Sequence, residues 1–265
     1  MNIPVAARQV DGEGLRLVYL DQGQGPVVVM IPSAGRGARD FADLAGRVAQ
    51  AGFRVLRPEP RGCGGSRGPM QELTLRELAG DVVKVMDGAR VARAVVLGHA
   101  FGNRVARALA SYYPERVSSV VLLAAGGRIA MTPEVARDFQ TVFDDSSAAE
   151  NRFAAMARAF FAPGNDPSPW RDGWFVETAA MQEAANRATL VSDWWLAGRA
   201  PVYIIQARQD LIACAANGEL LCRDLGERAV LAYVDQAGHA LLPEQPDAVA
   251  RLVIGFLNTA REQAL

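Results

Sequence analysis

Val95-Val96-Leu97-Gly98-His99-Ala100-Phe101-Gly102-Asn103-Arg104 decides how the rest of this chain is read. An apolar run rich in β-branched residues ends in Gly-His-Ala-Phe-Gly, and a helical spacing of Val105, Leu109, Tyr112 and Tyr113 follows at once. The pattern predicts a strand, a tight turn and a helix, with small residues letting the central position project from a strained turn. Where Gly-x-Ser-x-Gly sequences carry a nucleophilic hydroxyl at that centre, this chain has Ala100. Alanine can neither attack nor give up a proton. The turn is written into the sequence and its hydroxyl is missing.

Upstream, Leu15 to Asp21 alternates in polarity and is expected to be an edge strand, while Val27 to Ile31 reads as a strand buried on both faces. Pro32-Ser33-Ala34-Gly35-Arg36-Gly37 is the loop after it, and Asp40 is expected to cap a helix running to about Ala51. Phe53 to Leu56 is the next strand and leads into the glycine-rich segment Arg61 to Pro69. Thr74 and Glu77 form a capping box for Leu75 to Met86. Val117 to Ala124 is another buried strand, closed by Gly126-Gly127. Strands alternating with helices over short loops predict an α/β fold with a doubly wound, mostly parallel sheet.

The rhythm breaks near Arg128. From there to Gly198 the chain reads as helices and loops, and it gathers all 4 tryptophans and 6 of the 10 phenylalanines. Residues 1–127 and 199–265 are therefore expected to form a core, with 128–198 as a helical cap on it, the whole a single compact unit. The aromatics either make the cap's own core or line an apolar pocket where two layers meet, with Trp174, Trp194 and Phe161 as the pocket candidates. The sheet resumes at Val202 to Gln206, with Asp210 close behind it. A helix (Ala216 to Leu225), a strand (Ala229 to Val234), Gly238-His239 in a loop and a terminal amphipathic helix (Pro246 to Thr259) complete the chain.

At 265 residues the chain is long enough for one domain with a substantial core, and its net charge of −1 gives no basic face for nucleic acid or an acidic membrane. Cys63, Cys214 and Cys222 are scattered, without a disulfide framework or zinc spacing, and fit a reducing compartment. No secretory leader or membrane-spanning run is evident, so a cytoplasmic protein is expected. The glycine-rich stretch at Gly62 to Gly68 lacks the Gly-Lys-Ser/Thr ending of a phosphate loop.

Taken together, Gly98-His99-Ala100-Phe101-Gly102, the Pro60 to Ser66 segment, Asp210 after a late strand, and Gly238-His239 followed by Pro243-Glu244-Gln245-Pro246 resemble the α/β-hydrolase fold. The resemblance runs over nearly the whole chain, in the order nucleophile position, acid, histidine. It implies a helical cap inserted after the sixth strand. It also implies His239 as general base, Asp210 as the residue that fixes its tautomer, and the backbone N–H groups of Phe101 and Ala34 as the oxyanion hole. Ala100 and the Pro32-Ser33 pair depart from the family pattern. No metal or organic cofactor is implied, and the expected ligand is a small, largely apolar molecule bearing an acyl or carbonyl group.

Three readings of Ala100 stay open at this level. One is a serine hydrolase of small esters or lactones, disarmed by a serine-to-alanine exchange. Another is a serine-less enzyme in which Asp210 and His239 activate water or substrate directly, for hydrolysis or for a lyase, isomerase or cofactor-free oxygenase step. The last is a ligand-binding receptor without catalysis, which two retained acid–base residues argue against. Ser33 is the nearest substitute hydroxyl, though serine before Ala-Gly is ordinary turn chemistry. Nothing beside Cys63 in sequence would activate its thiol. Arg36 and Arg39 could meet a carboxylate at the mouth of a site, and His99 is expected to pack behind the turn and bond to backbone.

Overall fold

The computed structural model describes residues 3–262. Eight strands form one sheet: β1 (Val5–Gly12), β2 (Leu15–Gly23), β3 (Val27–Ile31), β4 (Arg54–Pro58), β5 (Ala94–His99), β6 (Val117–Leu123), β7 (Val202–Ala207) and β8 (Ala229–Val234). Their order across the sheet is β1-β2-β4-β3-β5-β6-β7-β8. β2 runs antiparallel to both its neighbours, and every pair from β4 to β8 is parallel. The doubly wound sheet expected from the sequence is present.

β2 is not the edge strand its alternation suggested. β1 pairs outside it along its full length, Val5 opposite Gln22 and Gly12 opposite Leu15. β1 is exposed on both faces apart from Val10. It therefore carries no two-residue apolar period to be read.

Helices cover both faces. α1 (Ala42–Gln50) packs Leu44 and Val48 onto one side, where the chain's last helix, Pro246–Glu262, adds Val249 and Val253. On the other side lie α2 (Leu75–Gly88), with Leu78 and Val82, and α3 (Phe101–Tyr112), with Val105 and Leu109. Thr74 closes the expected capping box with Glu77. Asp40 does not cap α1. It sits in a 3-10 turn (Ala38–Phe41) before that helix, and both of its oxygens accept from Arg36 at 2.8 Å.

Between β6 and β7 the chain forms α4 (Pro133–Val142), α5 (Ala149–Phe160), α6 (Val176–Arg187) and the short α7 (Val191–Trp194), with no strand. Val142, Met156, Phe160 and Trp170 build a separate apolar cluster there. Met181, Ala185, Trp194 and Trp195 instead join the main core beside α3. α8 (Ala215–Leu225), α9 (Leu241–Glu244) and α10, the helix Pro246–Glu262, complete the chain. Among the described residues no helix is long and apolar enough to cross a membrane.

Candidate active site

The turn between β5 and α3 is as strained as its sequence predicts. Ala100 has φ 50° and ψ −111°, a region that costs a non-glycine residue roughly 1–3 kcal/mol. Its neighbours leave no choice. A Cβ on Gly98 would stand 2.3 Å from the carbonyl oxygen of Gly102, and one on Gly102 would stand 2.1 Å from that of Ile31. Both glycines are therefore required by the close approach of helix to strand, since neither could hold a side chain without moving backbone. The strand end is held too, through Ala100 N–H donating to Leu123 O at 2.9 Å.

This geometry leaves the Phe101 N–H, first in α3, without a hydrogen bond among the described residues. The Ala34 N–H is equally free. Pro32 has not displaced the Ala34 loop, because α6 and its approach clamp it. Gly35 N–H donates to Gln182 Oε1 at 2.8 Å, and Phe175 N–H donates to Gly35 O at 2.8 Å. Ala34, Phe101, Ala100, Ser33 and His239 line one cleft of about 620 Å³.

Asp210 and His239 meet as expected. His239 Nδ1 lies 2.9 Å from Asp210 Oδ2 and 3.1 Å from Oδ1, with both side chains buried. Asp210 Oδ1 also accepts from the N–H groups of Ile212 and Ala213, each at 2.8 Å. Asp210 thus both closes its own turn and holds the imidazole. A carboxylate acceptor at Nδ1 selects the tautomer protonated there, which leaves the Nε2 lone pair free.

Five hydrogen bonds fix the His239 loop. His99 Nε2 donates to His239 O at 2.8 Å, and Ala240 N–H to Phe160 O at 2.8 Å. Glu244 accepts from Gly238 N–H (2.8 Å) and from Ala162 N–H (2.7 Å), and Asn165 Nδ2 reaches Gln236 O at 2.9 Å. The helical insertion is therefore hydrogen-bonded directly to the His239 loop. His99 is fully buried and its pKa falls to about 3, chiefly because burial penalises the charged ring. It stays neutral, as a donor to a carbonyl with a bare Nδ1 must.

The remaining candidates fall elsewhere. Trp194 is buried in the main core, with the Arg107 guanidinium 4.5 Å from its ring, and does not reach the cleft. Trp174 donates to Trp170 O at 2.7 Å and stands edge-on to Phe143, and Phe161 packs against Trp170; neither lines the cleft. Phe139 and Phe143 supply the apolar wall instead, in a side lobe of about 240 Å³ that shares Ala34 and Phe101 with the cleft. Arg36 and Arg39 do not line the cleft: Arg36 is buried between Trp170 and Trp174 and paired to Asp40, while Arg39 is exposed. Cys63 is buried, with its thiol pushed up to about 12 by desolvation. A larger groove of about 1080 Å³ along Arg36 and Asp40 contains none of Ala100, Asp210 or His239.

Sequence reasoning missed Gln182, Glu244 and Arg104. Arg104 lines the cleft one helical turn after Ala100, and that four-residue spacing was its available signal.

Residues 26–246 match a family described as alpha/beta hydrolase fold. The chain is 29% identical over its whole length, and 98% of the relative's, to 2-hydroxymuconate semialdehyde hydrolase of Pseudomonas sp. strain CF600. It is 33% identical over 42% of its length to bifunctional epoxide hydrolase 2 of Sus scrofa, a match that spans only 20% of that relative. Among solved structures, a thermophilic esterase from Thermogutta terrifontis superposes with a TM-score of 0.80 at 19% identity, covering 96% of this chain and 99% of that one. A meta-cleavage product hydrolase from Pseudomonas fluorescens IP01 superposes at 0.78 with 22% identity, covering 96% and 98%. At such identities these structures speak to the fold alone. The match across most of the chain, together with the strand order, shows that this protein belongs to the alpha/beta hydrolase fold family.

Proposed function

We propose that this chain is a hydrolase of a small carbonyl compound in which the His239–Asp210 pair activates water directly. The observation that carries the reading is one cleft holding an imidazole oriented by a buried carboxylate, two unpaired backbone N–H groups, and a methyl at the nucleophile position. Ala100 leaves the space beside His239 Nε2 open to a water molecule. Nε2 takes a proton from that water as its oxygen attacks the carbonyl carbon. The carbonyl oxygen, now carrying negative charge, accepts from Phe101 and Ala34 N–H. Collapse of the tetrahedral adduct breaks the bond to the leaving group, and the His239 imidazolium returns its proton there. The products are a carboxylic acid and either an alcohol or, where a carbon–carbon bond breaks, a protonated carbon fragment.

Esters and lactones fit this sequence. So does a carbon–carbon bond beside a carbonyl, and the full-length relative from Pseudomonas sp. strain CF600 is named as the hydrolase of a semialdehyde, a carbonyl compound. The test compares the chain with its Ala100→Ser variant on short acyl esters and lactones by burst kinetics. The strained turn already aims residue 100 outward, so the variant should show an acyl-enzyme burst that the parent lacks, while the parent turns over without one. Absence of turnover by the parent, whatever the variant does, would overturn the reading.

A further inference from the structure

Three cations line the cleft, and two of them are accounted for. Arg128, exposed at the rim, faces Asp224 at 3.4 Å and lies over Trp195 at 4.8 Å. Arg187, also exposed, pairs with Glu183 at 3.2 Å. Arg104 lies deeper and is only partly accessible, yet makes no hydrogen bond or ion pair among the described residues. Trp194 stands 5.9 Å from its guanidinium and covers one side of it. Glu183, its nearest opposing charge, is already engaged by Arg187, and burial lowers the Arg104 pKa from its ordinary value.

A guanidinium that lines the cleft without a protein partner keeps its five donors and its charge available to a ligand there. Planar donors of this kind match a carboxylate in two parallel bonds. Arg104 follows Ala100 by four residues on the same helix face, and helical side chains lean toward the N-terminus. Its stem therefore runs back toward the Phe101 N–H, with the two backbone positions roughly 4.5 Å apart along the axis. The apolar lobe by Phe139 and Phe143 also has Phe101 in its lining.

We propose that the substrate carries a carboxylate a few bonds from its reacting carbonyl, held by Arg104, with an apolar group in the Phe139–Phe143 lobe. This rests on the hydrolase reading for which carbonyl reacts, but it replaces a largely apolar ligand with an anionic one. Arg104 acts as a specificity residue that fixes which end of the molecule enters first.

The test measures binding, so that it stands apart from turnover. Titration calorimetry with 4-oxopentanoate and with its neutral methyl ester should show the anion binding about 10- to 100-fold more tightly, the range of one charge-assisted contact. Arg104→Gln should abolish that preference and Arg104→Lys should keep part of it, with thermal melts confirming that both variants are folded. Arg187→Gln should leave it in place. Equal binding of anion and ester by the parent, or a preference that survives Arg104→Gln, would overturn the proposal. Preference for the anion without ester turnover in any form would sink the hydrolase reading and leave the carboxylate site standing.

Discussion

His99 Nε2 donates to the backbone carbonyl of His239 across 2.8 Å, so the residue before Ala100 holds the loop that carries the other histidine. The two rings lie 5.4 Å apart, and burial holds His99 neutral, with its pKa pushed down to about 3. A charged His99 would stand in an apolar site beside His239, with its Nδ1 unpaired. The chain's two histidines thus divide the work, one as a neutral strut and one facing the cleft.

That neutrality has a pH signature. The folded-state pKa of His99 lies near 3, below the ordinary value of 6.5, so the unfolded chain takes up the proton first. Its contribution to stability is complete above about pH 6.5 and is lost as pH falls toward 3, at about 1.4 kcal/mol per unit inside that window. His99→Gln, which can still donate to the carbonyl, should flatten this component. Urea unfolding of both forms from pH 7 to pH 4 measures the difference.

Ala100 carries strain that no hydroxyl now uses. Ala100→Gly should therefore raise stability by on the order of 1 kcal/mol, because glycine adopts positive φ without a steric penalty. Substitution by glycine elsewhere in a helix or strand does the reverse. Chemical denaturation at neutral pH reads the sign directly, and a loss of stability would show the turn to be relaxed.

Asp210 separates orientation from folding. In Asp210→Asn the amide oxygen can still accept from Ile212 and Ala213, while the amide NH2 faces Nδ1 and favours the tautomer protonated on Nε2. Turnover should fall roughly 10²- to 10⁴-fold with little change in melting temperature. Asp210→Ala should lose the turn bonds as well, at about 1–2 kcal/mol. Parallel melts and rates on the two variants check the split.

The parallel sheet was legible because its strands are mostly apolar runs, and the Asp210–His239 pair because each stands after a strand in an order that few folds use. β1 was not legible, since a strand solvated on both faces has no period. The aromatics misled for a related reason. Their apolar character marks Trp174, Trp194 and Phe161 for packing, but not whether they turn toward the cleft or toward each other. Arg36 looked solvated in a glycine-flanked loop, yet its partners Trp170, Trp174 and Asp172 O lie more than 130 residues away. Arg104 shows the converse: its place on the helix was readable, and its lack of a partner was not.

The rate of short-acyl ester or lactone hydrolysis by the chain as it stands, against its His239→Ala variant, tests the central claim most directly. With Ala100 unchanged in both, the account predicts measurable, burst-free turnover that drops at least about 100-fold when the imidazole is removed. Equal rates from the two proteins would mean that His239 does not activate water in this cleft.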